Sequence, residues 1–167
     1  MSQDELYAQS MTDFGAAIER LARSYEADAD KRRDLLQEIH LAVWRSLEHF
    51  QHHCSLRTWV YRVAHNVGAT HVVRDRRLKS RTFVSIDDVA LTVPGESDRH
   101  ATLDRLYALI QLLKPLDREV ILLYLEGTDA ASIGEITGVS PGNVATKIHR
   151  IKSVLAGRFN EGGRDGK

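Results

Sequence analysis

The segment SPGNVATKIHRIKSVL carries Asn143, Thr146, Lys147 and Arg150. At about 100° per residue of a helix these four fall in an arc of about 100°. Val144, Ile148, Ile151 and Leu155 fall on the other side, within about 60°. Amide, hydroxyl and cationic groups on one helix face donate hydrogen bonds to base edges and phosphates. A second set lies in SLRTWVYRVAHNVGATHVVRDRR. There Thr58, Tyr61, Arg62, His65 and Asn66 sit away from the apolar stripe Leu56, Val60, Val63 and Val67, a mixture suited to holding unstacked single-stranded bases. Trp59 stands between the two faces, placed for either core packing or base stacking. Arg74, Arg76, Arg77, Lys79 and Arg81 follow within eight positions and suit a phosphate backbone.

Other chemistry is weakly supported. His49, His52, His53 and Cys54 cluster at one turn, and His49 and His53 have the i, i+4 spacing of a metal pair. No carboxylate completes a ligand set there, so no metal is expected. Asp87-Asp88 reads as a solvated turn rather than an acid/base pair. The sequence has no glycine-rich phosphate loop and no nucleophile motif. No catalytic residue and no cofactor are therefore expected.

The elements that must position these residues are helices. DFGAAIERLARSY (13–25) reads as a helix capped by Ser10 or Thr12, with Phe14, Ile18 and Leu21 at helical spacing. Asp28 or Asp30 opens a second, in which Leu35, Ile39, Val43 and Leu47 step by four. Ser55 is the expected cap of the third. Residues 79–97 lack a 3.6-residue period, contain Pro94-Gly95, and read as a linker. Helical pattern resumes near Asp98 with Leu103, Leu106, Leu109, Ile110 and Leu113. Asp117 is expected to cap the next helix, which Gly127 stops. Thr128 or Asp129 starts a short helix, Gly138 turns the chain, and Ser140-Pro141 starts the last helix. Short helix, glycine turn and capped helix make a helix-turn-helix. The expected division is 10–78 for a first helical domain, 98–159 for a second, and 160–167 for a disordered tail.

Composition agrees with this all-α, two-domain architecture. The 167 residues are 43% hydrophobic and 28% charged, an ordinary foldable balance. One cysteine excludes an internal disulfide. No apolar run reaches the ~18 residues of a membrane span, and no signal peptide is readable, so a cytoplasmic location is expected. Lysine plus arginine and aspartate plus glutamate each total 23. That zero net charge hides segregation. Residues 51–82 hold seven basic and one acidic group, and residues 140–167 six and two, whereas residues 83–139 hold four and ten. Two basic patches separated by an acidic stretch suggest two polyanion sites on one chain.

Residues 13–158 resemble a bacterial RNA polymerase sigma factor of the extracytoplasmic-function (ECF) type. DLLQEIHLAVWRSL is similar to the family's polymerase-binding helix, which implies that Asp34, Gln37 and Glu38 dock on the clamp helices of the β′ subunit. SLRTWVYRVAHNVGATHVVRDRR is similar to the helix that melts and reads the −10 element. That implies −10 contacts from Trp59, Arg62, His65, Asn66, Arg74, Arg76 and Arg77. LKPLDREVILLYLEGTDAASIGEITGVSPGNVATKIHRIKSVL resembles region four, which implies −35 duplex contacts from Asn143, Thr146, Lys147 and Arg150. The implied partners are RNA polymerase core (β′ clamp helices and β flap), promoter DNA and an anti-sigma factor. Many members have Asp-Tyr in place of Thr70-His71 and Arg in place of His65, so the promoter sequence does not transfer. Two rival readings remain beside the resemblance: a stand-alone helix-turn-helix regulator, and a histidine-cluster metal hydrolase.

Overall fold

The computed structural model describes residues 1–79 and 99–161. The linker assigned to 79–97 and the tail after Glu161 lie outside the described residues, apart from the backbone of Lys79. Within them the chain forms helices α1 (Gln3–Tyr25), α2 (Ala29–Leu47), α3 (Leu56–Lys79), α4 (Arg99–Gln111), α5 (Pro115–Leu125), α6 (Ala130–Thr137) and α7 (Pro141–Glu161).

α1 begins ten residues before its sequence-based start. Ser2 is the cap: its Oγ accepts from Glu5 N at 3.2 Å, and Glu5 Oε2 accepts from Ser2 N at 2.7 Å. This reciprocal pair is a capping box, which satisfies two otherwise orphaned donors. Ser10 and Thr12 do not cap. Their hydroxyls donate to carbonyls one turn back, Leu6 O at 2.7 Å and Ala8 O at 3.0 Å. Asp28 caps α2, accepting from Asp30 N and Lys31 N. The four-residue stripe Leu35, Ile39, Val43 and Leu47 is buried against α1 and α3. Ser55 Oγ accepts from Thr58 N at 3.0 Å and opens α3.

The second bundle closes on Leu109, Ile110, Leu113, Ile121, Leu122, Ile151 and Leu155. Asp117 does not cap α5. Pro115 is the first helical residue after Lys114, and the Asp117 carboxylate turns instead to α7, accepting from Lys147 Nζ at 2.8 Å and Arg150 Nη2 at 3.1 Å. Buried Arg118 caps the end of α4, donating to Leu113 O and Gln111 O. Burial lowers its pKa to about 10, so it stays charged at neutral pH.

The two bundles share a core. Val120 and Leu123 of α5 and Ile133 and Ile136 of α6 join the apolar cluster built by α1, α2 and α3. Polar contacts rim this seam. Arg20 Nε and Nη2 donate to the two Glu126 carboxylate oxygens at 2.5 and 2.8 Å. Arg57 Nη2 donates to Glu126 O and Thr128 Oγ1, both at 3.1 Å. Gln111 Nε2 donates to Arg23 O at 2.9 Å, and Arg23 pairs with Asp104.

Candidate nucleic-acid and polymerase interfaces

The helix-turn-helix forms from local signals. Asp129 Oδ1 accepts from Ser132 N at 2.9 Å and starts α6. Gly138 ends it at φ 79°, a left-handed conformation that costs glycine little because it has no Cβ. Ser140 Oγ accepts weakly from Asn143 N at 3.4 Å as α7 begins. Val144, Ile148, Ile151 and Leu155 face inward, as their spacing predicts. Asn143, Thr146 and Arg150 are exposed and Lys147 is half-buried. Asp117 draws Lys147 and Arg150 together, so two cations lie side by side along α7. His149, exposed on the same helix, was not singled out from sequence. At about 100° from Arg150 around the helix it falls outside the arc of Asn143, Thr146, Lys147 and Arg150.

On α2, Asp34, Gln37 and Glu38 are all exposed. Leu41 sits among them at 47% exposure. Counting from Leu35, the three polar residues span about 200–300° and Leu41 falls at about 240°. This exposed leucine puts an apolar group at the centre of the polar arc, outside the buried stripe that the four-residue spacing marks. Trp44 borders the arc at 38% exposure, its Nε1 donating to Asp4 Oδ1 at 2.8 Å.

The α3 set divides. Asn66, Arg74, Arg76 and Arg77 are exposed. Arg74 pairs with Glu38 at 3.0 Å, so the second basic patch and the α2 polar arc meet. Trp59 is half-buried against the core: its ring packs tilted on Phe50 with centroids 5.4 Å apart, and Nε1 donates to Ser46 Oγ at 3.0 Å. Arg62 donates to the backbone carbonyl of Glu135, near the end of α6. His65 must be corrected in this conformation. It is 2% exposed, paired with the Tyr25 hydroxyl at 3.0 Å and enclosed with Leu21, Leu122 and Leu123. Burial pulls its pKa down to about 3, so the ring is neutral and unavailable to phosphate. Thr58 and Tyr61 are buried as well. The face that appears solvent-facing when α3 is considered alone is covered by α1, α5 and α6.

The histidine cluster does not assemble. His52, at φ 57°, packs tilted against Phe50, and His53 pairs with Gln51. Among the described residues, no group of three histidine, cysteine or carboxylate side chains is placed to hold a metal ion. No helix among them is long and apolar enough to cross a membrane.

Comparison with known proteins agrees with this geometry. Residues 11–78 match the family model "Sigma-70 region 2" and residues 103–155 match "Sigma-70, region 4". RNA polymerase sigma factor NccH of Alcaligenes xylosoxydans xylosoxydans is 28% identical, with 92% of this chain and 88% of that one covered. ECF RNA polymerase sigma factor SigE of Mycolicibacterium smegmatis is 28% identical, covering 92% of this chain and 60% of that protein. Among solved structures, the sigma factor RpoE in complex with the anti-sigma factor NepR from Bartonella quintana superposes with a TM-score of 0.70. That likeness has 21% identity and covers 92% of this chain and 96% of the other. CnrH in complex with the cytosolic domain of CnrY gives 0.67 at 21% identity, covering 93% and 88%. Two sigma-70 modules in order, carried by helices in the arrangement of solved sigma factors, place the chain in the sigma-70 family, and it belongs there to the ECF type.

Proposed function

We propose that this chain acts on RNA polymerase core in the cytoplasm as a transcription initiation factor, recruiting it to promoters and assisting their opening. The observation that carries this reading is the outward face of α7, where Asn143, Thr146 and Arg150 are exposed and Lys147 lies beside Arg150. Such a helix is a duplex reader: cations hold phosphate while the amide and hydroxyl address base edges. The arc of Asp34, Gln37 and Glu38, centred on Leu41, supplies the polymerase contact. The exposed basic groups of α3, Arg74, Arg76 and Arg77, supply phosphate contacts to the opened −10 region. Binding energy for unstacked bases offsets part of the cost of melting the duplex. The chain needs no chemistry of its own, since the polymerase makes the RNA. RpoE, whose fold this chain shares, is solved in complex with the anti-sigma factor NepR, and by extension this chain is held inactive by such a partner.

The test is co-purification with core polymerase followed by run-off transcription on genomic fragments. Asp34→Ala with Gln37→Ala should weaken core binding and leave the fold intact, because both side chains lie off the buried stripe. Unchanged core affinity in a pull-down counts against the α2 assignment. A chain that binds duplex DNA but never core polymerase would be a stand-alone regulator instead.

A further inference from the structure

The Asp117 carboxylate stands behind the outward face of α7. It lies in the first turn of α5, which Pro115 starts, and its side chain is 12% exposed. α5 and α7 pack through Ile121, Leu122, Ile151 and Leu155, so the anion and the cations it meets are carried on two helices in fixed contact. Lys147 and Arg150 are three residues apart, about 60° around α7 and about 4.5 Å along it. Like charges at that spacing repel. Asp117 bridges them: Oδ1 accepts from Lys147 Nζ at 2.8 Å and Oδ2 from Arg150 Nη2 at 3.1 Å. Hydrogen bonds between charged groups are shorter and stronger than neutral ones, so both long side chains lose much of their rotamer freedom here. The ammonium is drawn in, at 29% side-chain exposure, whereas the guanidinium keeps 63%. Nη2 is the Arg150 nitrogen engaged, which leaves the rest of the planar fork to a ligand. A carboxylate has the wrong charge for a surface that meets phosphate. Its presence beside the reading groups is explained by what it does to their geometry.

We propose that Asp117 is a positioning residue for duplex recognition: held on α5, it fixes Lys147 and Arg150 on α7, so that Arg150 offers a preset fork to base edges instead of a mobile charge to phosphate. The inference rests on the initiation-factor reading above and adds to it a residue outside the reading helix that sets sequence preference. Two effects of the carboxylate oppose each other. Its charge, close to both cations, weakens their attraction to any phosphate backbone. Its grip on their geometry favours the one arrangement in which a guanidinium matches a base edge. Removing the charge should therefore keep or raise affinity for DNA in general while lowering discrimination between sequences. A carboxylate that only tied α5 to α7 would, on removal, weaken binding to every sequence alike.

The experiment uses the full chain with core polymerase. The wild-type complex selects from a pool of random-sequence duplexes, and the duplex it retains best is compared with a scrambled one by fluorescence anisotropy at several salt concentrations. In Asp117→Asn the ratio of the two affinities should fall on the order of tenfold. Affinity for the scrambled duplex should hold or rise, and its salt slope should steepen by about one, because the cations lose their counter-charge. Asp117→Ser, measured beside it, should give the same pattern. Adding Asp117→Asn to a chain that already carries Lys147→Ala and Arg150→Ala should change the ratio no further, since the carboxylate acts through those two groups. An unchanged ratio in both single variants overturns the proposal. So does equal weakening toward both duplexes, or a full further loss in the chain without the cations. If circular dichroism shows that both variants lose helical structure, the carboxylate is a structural tie and the positioning role is overturned as well. A wild-type chain that never binds core polymerase overturns the initiation-factor reading, and that failure shows before any substitution is made.

Discussion

Gly68→Ala tests how tightly the seam of the first domain is packed. Gly68 is in the middle of α3, where alanine should favour the helix by ~1 kcal/mol. A Cβ built there lies 2.5 Å from Tyr25 Cδ2, 2.8 Å from Cε2 and 2.9 Å from Cγ. Carbon atoms meet without strain at about 3.5–4.0 Å, so the ring must retreat by about 1 Å. Its freedom to do so is small. The Tyr25 hydroxyl is paired with His65, the ring lies edge-on to the His65 ring at 5.8 Å, and the Arg118 guanidinium stands 5.6 Å from its centroid. Overpacking a held core position costs ~1–3 kcal/mol or more. The strain exceeds the propensity gain, and the net expectation is a loss of ~1–2 kcal/mol. Urea unfolding followed by circular dichroism measures it. In a Tyr25→Leu background the obstructing ring is gone, and Gly68→Ala should there become neutral or stabilising by up to ~1 kcal/mol. If Gly68→Ala stabilises the protein equally in both backgrounds, the Tyr25 ring does not limit α3 and the reasoning fails.

Glu119 is half-buried near Tyr25, and desolvation pushes its pKa up to about 7. Because ionisation is easier unfolded than folded, the stability it contributes is present below pH 4.5 and is lost as pH rises through about 7. Glu119→Gln should therefore stabilise by ~1–2 kcal/mol at pH 8 and by little at pH 4.5, a difference that unfolding curves at the two pH values would reveal or deny. His65 works in the opposite sense, since its pKa falls to about 3: the unfolded chain takes up a proton between about 6.5 and 3 that the folded chain refuses. Replacing His65 by glutamine should flatten the loss of stability on acidification below pH 6.5, and an unchanged acid profile would argue that the ring is protonated in place. Arg150→Ala should weaken duplex binding by ~1–3 kcal/mol if the guanidinium reads a base, and by less, with the salt slope reduced by about one, if it touches phosphate alone. Binding unaltered at every salt concentration would remove Arg150 from the interface.

Much of the chain is legible locally. Leu35, Ile39, Val43 and Leu47 announce a buried stripe because helical geometry turns a step of four into one face. Ser55, Asp129, Gly138 and Ser140-Pro141 mark helix ends because the orphaned amides and carbonyls there need a side-chain oxygen or a left-handed residue within a few positions. The outward arc of α7 follows from the same arithmetic. Local rules mislead where two partners compete for one group. Ser10 and Thr12 resemble caps, yet Ser2 with Glu5 caps the helix further upstream and leaves those hydroxyls bonded to the preceding turn. Asp117 resembles a cap, yet α7 brings two cations to it across thirty and thirty-three residues.

α3 marks the boundary between what sequence and tertiary structure decide. Its sequence determines one apolar stripe and, opposite it, Thr58, Tyr61, Arg62, His65 and Asn66, a face that reads as polar and free. Periodicity describes a helix with a single neighbour. Here α1 takes part of the opposite face, and α5 and α6, from beyond residue 98, take more. No local signal encodes that second burial, because it depends on where Leu122, Leu123, Ile133 and Ile136 arrive in space. Only the tertiary structure decides that His65 is a neutral core residue, that Arg62 ends on a backbone carbonyl, and that Asn66, Arg74, Arg76 and Arg77 stay exposed. The sequence determined which side chains can hold nucleic acid, and packing determined which of them reach solvent.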